Sequence, residues 1–186
     1  MSNDPRLACQ FDADELIALA RHDIDKNQLE PALEKLKCVL AGDAQAADAL
    51  ALVGRVYGQL GLYKRAQESF GRFLALHPDA PNERFQLAMS HYSKGELSEA
   101  EGQWEVILRA HPTYPPALYY NALALAQQGK PIEAKRSLDI LLQSAAPDNL
   151  YAGKGRELLQ SIDAGLQESF IQSQQAPQAG AADKYQ

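Results

Sequence analysis

The stretch TYPPALYY, Thr113 to Tyr120, holds three of the chain's eight tyrosines with two prolines between them. The chemistry open to such a cluster is non-covalent. A buried aromatic ring removes ~150–250 Å² from water, and a tyrosine keeps a hydroxyl for a hydrogen bond. Tyr119 and Tyr120 are adjacent, so on a helix they stand about 100° apart and both can border one channel. Residues for covalent or metal chemistry are missing by pattern. The chain has no G-x-S-x-G, no G-x-x-x-x-G-K-[ST], no C-x-x-C and no H-E-x-x-H. GKG at Gly153 to Gly155 is too short to cradle a phosphate. His22 and His91 have no Cys, Asp or Glu at metal spacing on the same face. His77 and His111 each precede a turn proline and read as punctuation. Glu99 and Glu101 do not share a helical face. The expectation is a protein that binds rather than catalyses, with no cofactor and no metal.

The elements that must position these residues are helical. The 186 residues suit one ordinary domain, with 46% apolar and 23% charged side chains, the balance of a folded chain. Ala, Leu and Gln are abundant and β-branched residues sparse, which favours helix. The net charge is −6 and no Lys/Arg stripe forms, so nucleic acid is not an expected partner. No run approaches the ~18 apolar residues of a membrane span. MSNDPRLACQFD lacks the apolar core of a secretory signal, and RLAC matches a lipoprotein box only superficially. A cytoplasmic location without a membrane anchor is expected. Cys38 lies in an apolar-periodic stretch and reads as a small buried hydrophobe.

A beat of 34 residues runs through the chain. Ala32, Ala66, Ala100 and Ala134 are each 34 apart, and so are Asn27, Gly61, Gly95 and Gly129. GLYKRAQESFGRFLALHP (Gly61 to Pro78) is echoed by GELSEAEGQWEVILRAHP (Gly95 to Pro112), with further copies from Asn27 and from Gly129. The alanines permit close helix approach, the glycines suit turns that need a positive φ, and Pro78 and Pro112 end units. One helix pair cannot bury both its faces, so copies must stack. Before the first copy, Asp12 and Glu15 form a capping-box pattern, with Phe11 and Leu16 as a hydrophobic staple. After Pro147, Leu158, Ile162, Leu166 and Phe170 recur every four residues and predict one more helix.

The pattern resembles the tetratricopeptide repeat family. Leu50, Gly54, Tyr57, Gly61, Tyr63, Ala66, Phe70 and Pro78 stand where the family places its signature residues. Leu87, Ala88, Gly95, Leu97, Ala100, Trp104 and Pro112 do the same in the next copy. The fourth copy departs with Asn121 and Pro131, and the first has Asn27 in place of Gly. The resemblance implies an all-α, right-handed superhelical solenoid of antiparallel helix pairs. Its layout is an N-terminal extension (1–12), four pairs (about 13–46, 47–80, 81–114 and 115–147), a C-terminal capping helix (148–172) and a disordered tail (173–186).

In that family the first helix of each pair lines a concave groove. The resemblance therefore implies a peptide-binding surface that includes Ile17, Arg21, Arg55, Phe85, Met89, Tyr92, Tyr119, Tyr120 and Leu123. Arg21 and Arg55 would form a cationic spot. Phe85, Met89, Tyr92 and the tyrosine pair would form an aromatic wall. Aromatics and arginine are the side chains that most often dominate interfaces. Tyr57, Tyr63, Phe70 and Trp104 match core positions. The clamp by which one subclass of the family holds acidic chaperone tails is not expected, because its sites carry Ile17, Arg21, Leu52, Gln86 and Pro116. The reading is a non-catalytic protein–protein interaction module, an adaptor or co-chaperone-like scaffold that grips a peptide of a partner. Two alternatives stand beside it: self-association through Leu158, Ile162, Leu166 and Phe170, and an accessory chaperone of bacterial secretion or pilus assembly.

Overall fold

A computed structural model describes residues 11–175, with side chains through residue 168. All regular structure among the described residues is α-helix. The elements are α1 (Ala13–Asp25), α2 (Leu29–Gly42), α3 (Ala47–Gln59), α4 (Tyr63–Leu76), α5 (Pro81–Lys94), α6 (Leu97–Ala110), α7 (Pro115–Gln127), α8 (Pro131–Ser144) and α9 (Leu150–Gln175). Residues 1–10 and 176–186, which hold most of the expected extension with Cys9 and most of the expected tail, lie outside the described residues. Residues 173–175, expected in the tail, continue α9.

The local chemistry that starts and stops these helices repeats with the sequence. At the start of α1, Asp12 Oδ1 accepts from the Glu15 amide at 2.8 Å and Glu15 Oε2 accepts from the Asp12 amide at 2.9 Å, completing the capping box. Pro81, Pro115 and Pro131 each occupy the first residue of a helix, where a missing N–H costs little. Within each pair the turn is the same device. Asn27, Gly61, Gly95 and Gly129 have φ of 57°, 70°, 84° and 74°. The next amide then donates to the carbonyl five residues back: Gln28 to Asp23, Leu62 to Tyr57, Glu96 to His91 and Lys130 to Leu125, at 2.7, 2.8, 3.0 and 2.9 Å. This is the Schellman closure of a helix end. Asparagine replaces glycine in the first copy because, of the side-chain-bearing residues, it tolerates the left-handed region well.

The chain divides into two compact units, 1–110 and 111–186. In the first, α1–α2, α3–α4 and α5–α6 are hairpins, α2 packs on α3 and α4 on α5, and α1, α3 and α5 form an inner row. Its core runs through the fully buried alanines 32, 66 and 100, with Leu36, Phe70 and Trp104. Gly54 lets α4 come close. A Cβ there would lie 2.8 Å from the Phe70 ring. Asp23 on α1 pairs with Lys35 on α2 at 2.6 Å, both largely buried, which pins the first hairpin.

In the second unit α7 and α8 form a hairpin and α9 packs on both. Gly155 allows this approach, since a Cβ there would meet Leu141 Cδ2 at 3.0 Å. Lys135 of α8 pairs with Asp163 of α9. Asn121, standing where a leucine is usual, is buried and directs its amide towards Ser137 Oγ at 3.4 Å.

Candidate functional site

The inner row of the first unit carries the open surface. Gly54, Arg55, Gly58 and Gln59 of α3 face Gln86, Met89, Ser90 and Ser93 of α5 across a cavity of about 340 Å³. The spacing explains the convergence. Residues three, four and seven apart lie on one helical face, so Gln86, Met89, Ser90 and Ser93 form a single strip. Tyr63 and Phe70 of α4 also line the cavity. Arg55 and Met89 are positions that the repeat geometry assigned to the groove. Tyr63, expected in the core, is instead half-buried and lines the cavity.

Other expected lining residues are placed differently. Arg21 is exposed, but its Nη2 lies 2.7 Å from Asp48 Oδ2 of α3, so the cationic spot expected from Arg21 with Arg55 is in fact partly neutralised. Ile17 is half-buried and packs against the core of the first two hairpins. Phe85 is only 9% exposed, which takes its ring out of any open lining. Tyr92 is half-buried and its ring lies 5.8 Å from that of Trp104, tilted by 53°. The aromatic wall expected from α5 is thus largely internal packing. Pattern alone could not separate these cases, because an inner-helix aromatic has the same spacing whether it faces a channel or a neighbour.

The second unit holds the tyrosine pair. Tyr119 and Tyr120 meet edge to face at 5.2 Å. Tyr151, the second residue of α9, completes the cluster at 5.9 Å from Tyr119 and 6.3 Å from Tyr120. Lys154 Nζ sits 6.0 Å from the Tyr119 ring centre. Desolvation, with Tyr120 beside it, raises the pKa of Tyr151 above its ordinary value. Sequence reasoning missed Tyr151; the one available signal was an aromatic at the start of a helix expected to pack on the preceding pair. Leu123 of α7 is half-buried. Along α9, Leu158 and Leu166 are half-buried and Ile162 is 9% exposed, so the stripe expected to drive self-association is engaged at Ile162 within the chain. The side chain of Phe170 lies outside the described residues.

One polar knot locks the second hairpin to the third. Glu96 accepts from His91 Nδ1 at 2.8 Å and from Gln67 Nε2 of α4 at 2.8 Å, and pairs with Lys94. The hydrogen bonds from Lys94 and His91 hold the Glu96 pKa at about 2. Among the described residues, no group of three His, Cys, Asp or Glu side chains is placed to hold a metal ion. Among the same residues, no helix is long and apolar enough to cross a membrane.

Helix pairs on a 34-residue beat, closed by left-handed turns and packed through small residues, define the tetratricopeptide-repeat fold, and the chain has it. Known structures agree. A crystal structure of MamA superposes with a TM-score of 0.71 at 21% identity, covering 76% of this chain and 84% of that one. A second MamA structure gives 0.70 at 16% identity over 93% of this chain and 98% of that one. A tetratricopeptide repeat protein from Parabacteroides merdae gives 0.74 at 22% identity, over 84% of this chain and 62% of that one. At these identities the likeness is one of fold. Cellulose synthase operon protein C of Pseudomonas fluorescens (strain SBW25) is 31% identical over 86 residues, which is 46% of this chain and only 7% of that protein. No family model matches the chain.

Proposed function

We propose that the chain is a non-catalytic adaptor that holds a peptide segment of a partner protein against the inner helices of its first unit. The observation that carries this reading is the cavity of about 340 Å³ between α3 and α5. The fold buries Ala32, Ala66, Ala100 and Trp104 completely yet leaves Arg55, Gln59 and Gln86 exposed around this hollow. Side chains that pack nothing and converge on a concavity favour recognition over stability. Gln86→Ala with Met89→Ala is the direct test, because neither residue belongs to the fully buried core. Affinity capture from a native lysate should fall at least several-fold for the double variant while its Tm stays within a few degrees. Undiminished capture would remove the reading.

A second reading draws on the partial likeness to cellulose synthase operon protein C. It makes the chain an accessory of a bacterial assembly, with the same surface engaging one dedicated partner. A coding neighbourhood without any such assembly genes would count against it.

A further inference from the structure

The cavity between α3 and α5 carries an unbalanced charge. Arg55 is exposed, and it makes no ion pair among the described residues. The other lining residues are glycine, amide, hydroxyl, aromatic or Met, with no carboxylate among them. The neighbouring copy shows what is missing. Arg21 occupies the same place one repeat earlier, and there the second residue of α3, Asp48, supplies a carboxylate at 2.7 Å. Thirty-four residues on from Asp48, the second residue of α5 is Asn82, which is uncharged. The inner row therefore neutralises its first arginine and leaves the next one to be met from outside.

The floor beside Arg55 is also bare. Gly54 and Gly58 are one turn apart on α3, and the fold needs only the first. A Cβ on Gly54 would strike the Phe70 ring at 2.8 Å, whereas a Cβ on Gly58 would meet nothing within 4 Å. A glycine within a helix is destabilising relative to alanine, so one that no packing requires is a cost without a structural return. Gly71 and Gly102 are equally unhindered, but only Gly58 lines the cavity. There the missing side chain lets another backbone come close, next to the flexible thioether of Met89.

Resting on the adaptor reading above, we infer that the occupant is an extended peptide segment carrying an aspartate or glutamate beside an apolar side chain. The carboxylate meets Arg55 as Asp48 meets Arg21. The apolar neighbour lies along Gly58 and Met89, and the amides of Gln59 and Gln86 are placed to bond the peptide backbone.

The test uses the full chain and a positional-scanning library of hexapeptides blocked at both ends. Acidic residues at one position and aliphatic residues next to it should be enriched. A peptide made to the enriched pattern should bind about tenfold or more weakly to Arg55→Glu, and the library preference of that variant should turn towards lysine and arginine. Gly58→Leu, whose Cβ meets nothing within 4 Å, should weaken the same peptide to a similar degree with an unchanged circular dichroism spectrum. Peptide binding with no acidic preference, or an acidic preference that survives Arg55→Glu, overturns the inference while leaving the adaptor reading intact. If Gly58→Leu does not fold, the charge reversal alone decides. Absence of any peptide binding overturns both. Self-association by light scattering that Arg55→Glu abolishes would assign the cavity to a second copy and likewise overturn the inference.

Discussion

The α3–α5 cavity and the tyrosine cluster of α7 and α9 begin from equivalent places, the inner faces of first helices in a pair. They end differently. Between α3 and α5 the lining includes Gly58, which has no side chain, with Met89 and Ser93, and a hollow remains. Beside Tyr119 and Tyr120, α9 brings Tyr151, and the three rings meet edge-on or tilted with centres 5.2 to 6.3 Å apart. Conspicuous aromatics mark the place that the chain fills for itself. The hollow is lined by glycine, serine, amide side chains, Met89 and one arginine, with Tyr63 and Phe70 at its α4 side. Interface-prone residue types are therefore a poor guide to an open surface until their neighbours are known.

Four substitutions and one titration sharpen this contrast. The largest effect belongs to Gly54→Ala. The added methyl would press on the Phe70 ring at 2.8 Å, and that ring is only 1% exposed. Such overpacking costs about 1–3 kcal/mol, read as a lower denaturant midpoint at unchanged slope. Tyr151→Ala comes next. Removing two aromatic contacts should destabilise the second unit by about 1 kcal/mol beyond the area lost. In the unaltered protein, a spectrophotometric titration should show Tyr151 ionising late. Because its folded pKa is raised, that contribution is complete below the ordinary tyrosine pKa and fades as pH climbs through the higher folded value. Gly58→Ala runs the opposite way to Gly54→Ala, stabilising by roughly 0.5–1 kcal/mol because helix propensity improves and nothing is struck. A loss of stability there would mean that the hollow is not what it is taken to be. The smallest effect is that of Glu96. Its folded pKa is held at about 2 against 4.5, so its stabilisation is complete above 4.5 and disappears as pH falls towards 2. Acid unfolding of Glu96→Gln should show a shallower pH dependence across that window.

Much of the fold was legible from the residues. Asn27, Gly61, Gly95 and Gly129 announced four turns, and each adopts a left-handed conformation. Asp12 with Glu15 announced a helix start, and both hydrogen bonds are made. The lining was legible only by position. Arg55 and Met89 lie at the cavity, with Gln59 and Gln86 beside them. Phe85 and Tyr92 share that register but turn to internal packing, because a helix face about 100° wide contains both open and covered sites. Ile162 was read as available to another copy and is buried within its own chain, a consequence of how closely Gly155 lets α9 approach α8.

By itself the order of residues determined the helices, their turns and the 34-residue period, since these depend on interactions among residues fewer than six apart. Which side chains stay uncovered was decided only by tertiary packing. Asp48 reaching Arg21, Tyr151 reaching the tyrosine pair and, among the described residues, a cavity lining that holds Arg55 but no carboxylate are facts about separate helices brought together. Local propensity cannot carry that information, because burial is set by what lies across a gap and not by what lies next along the chain.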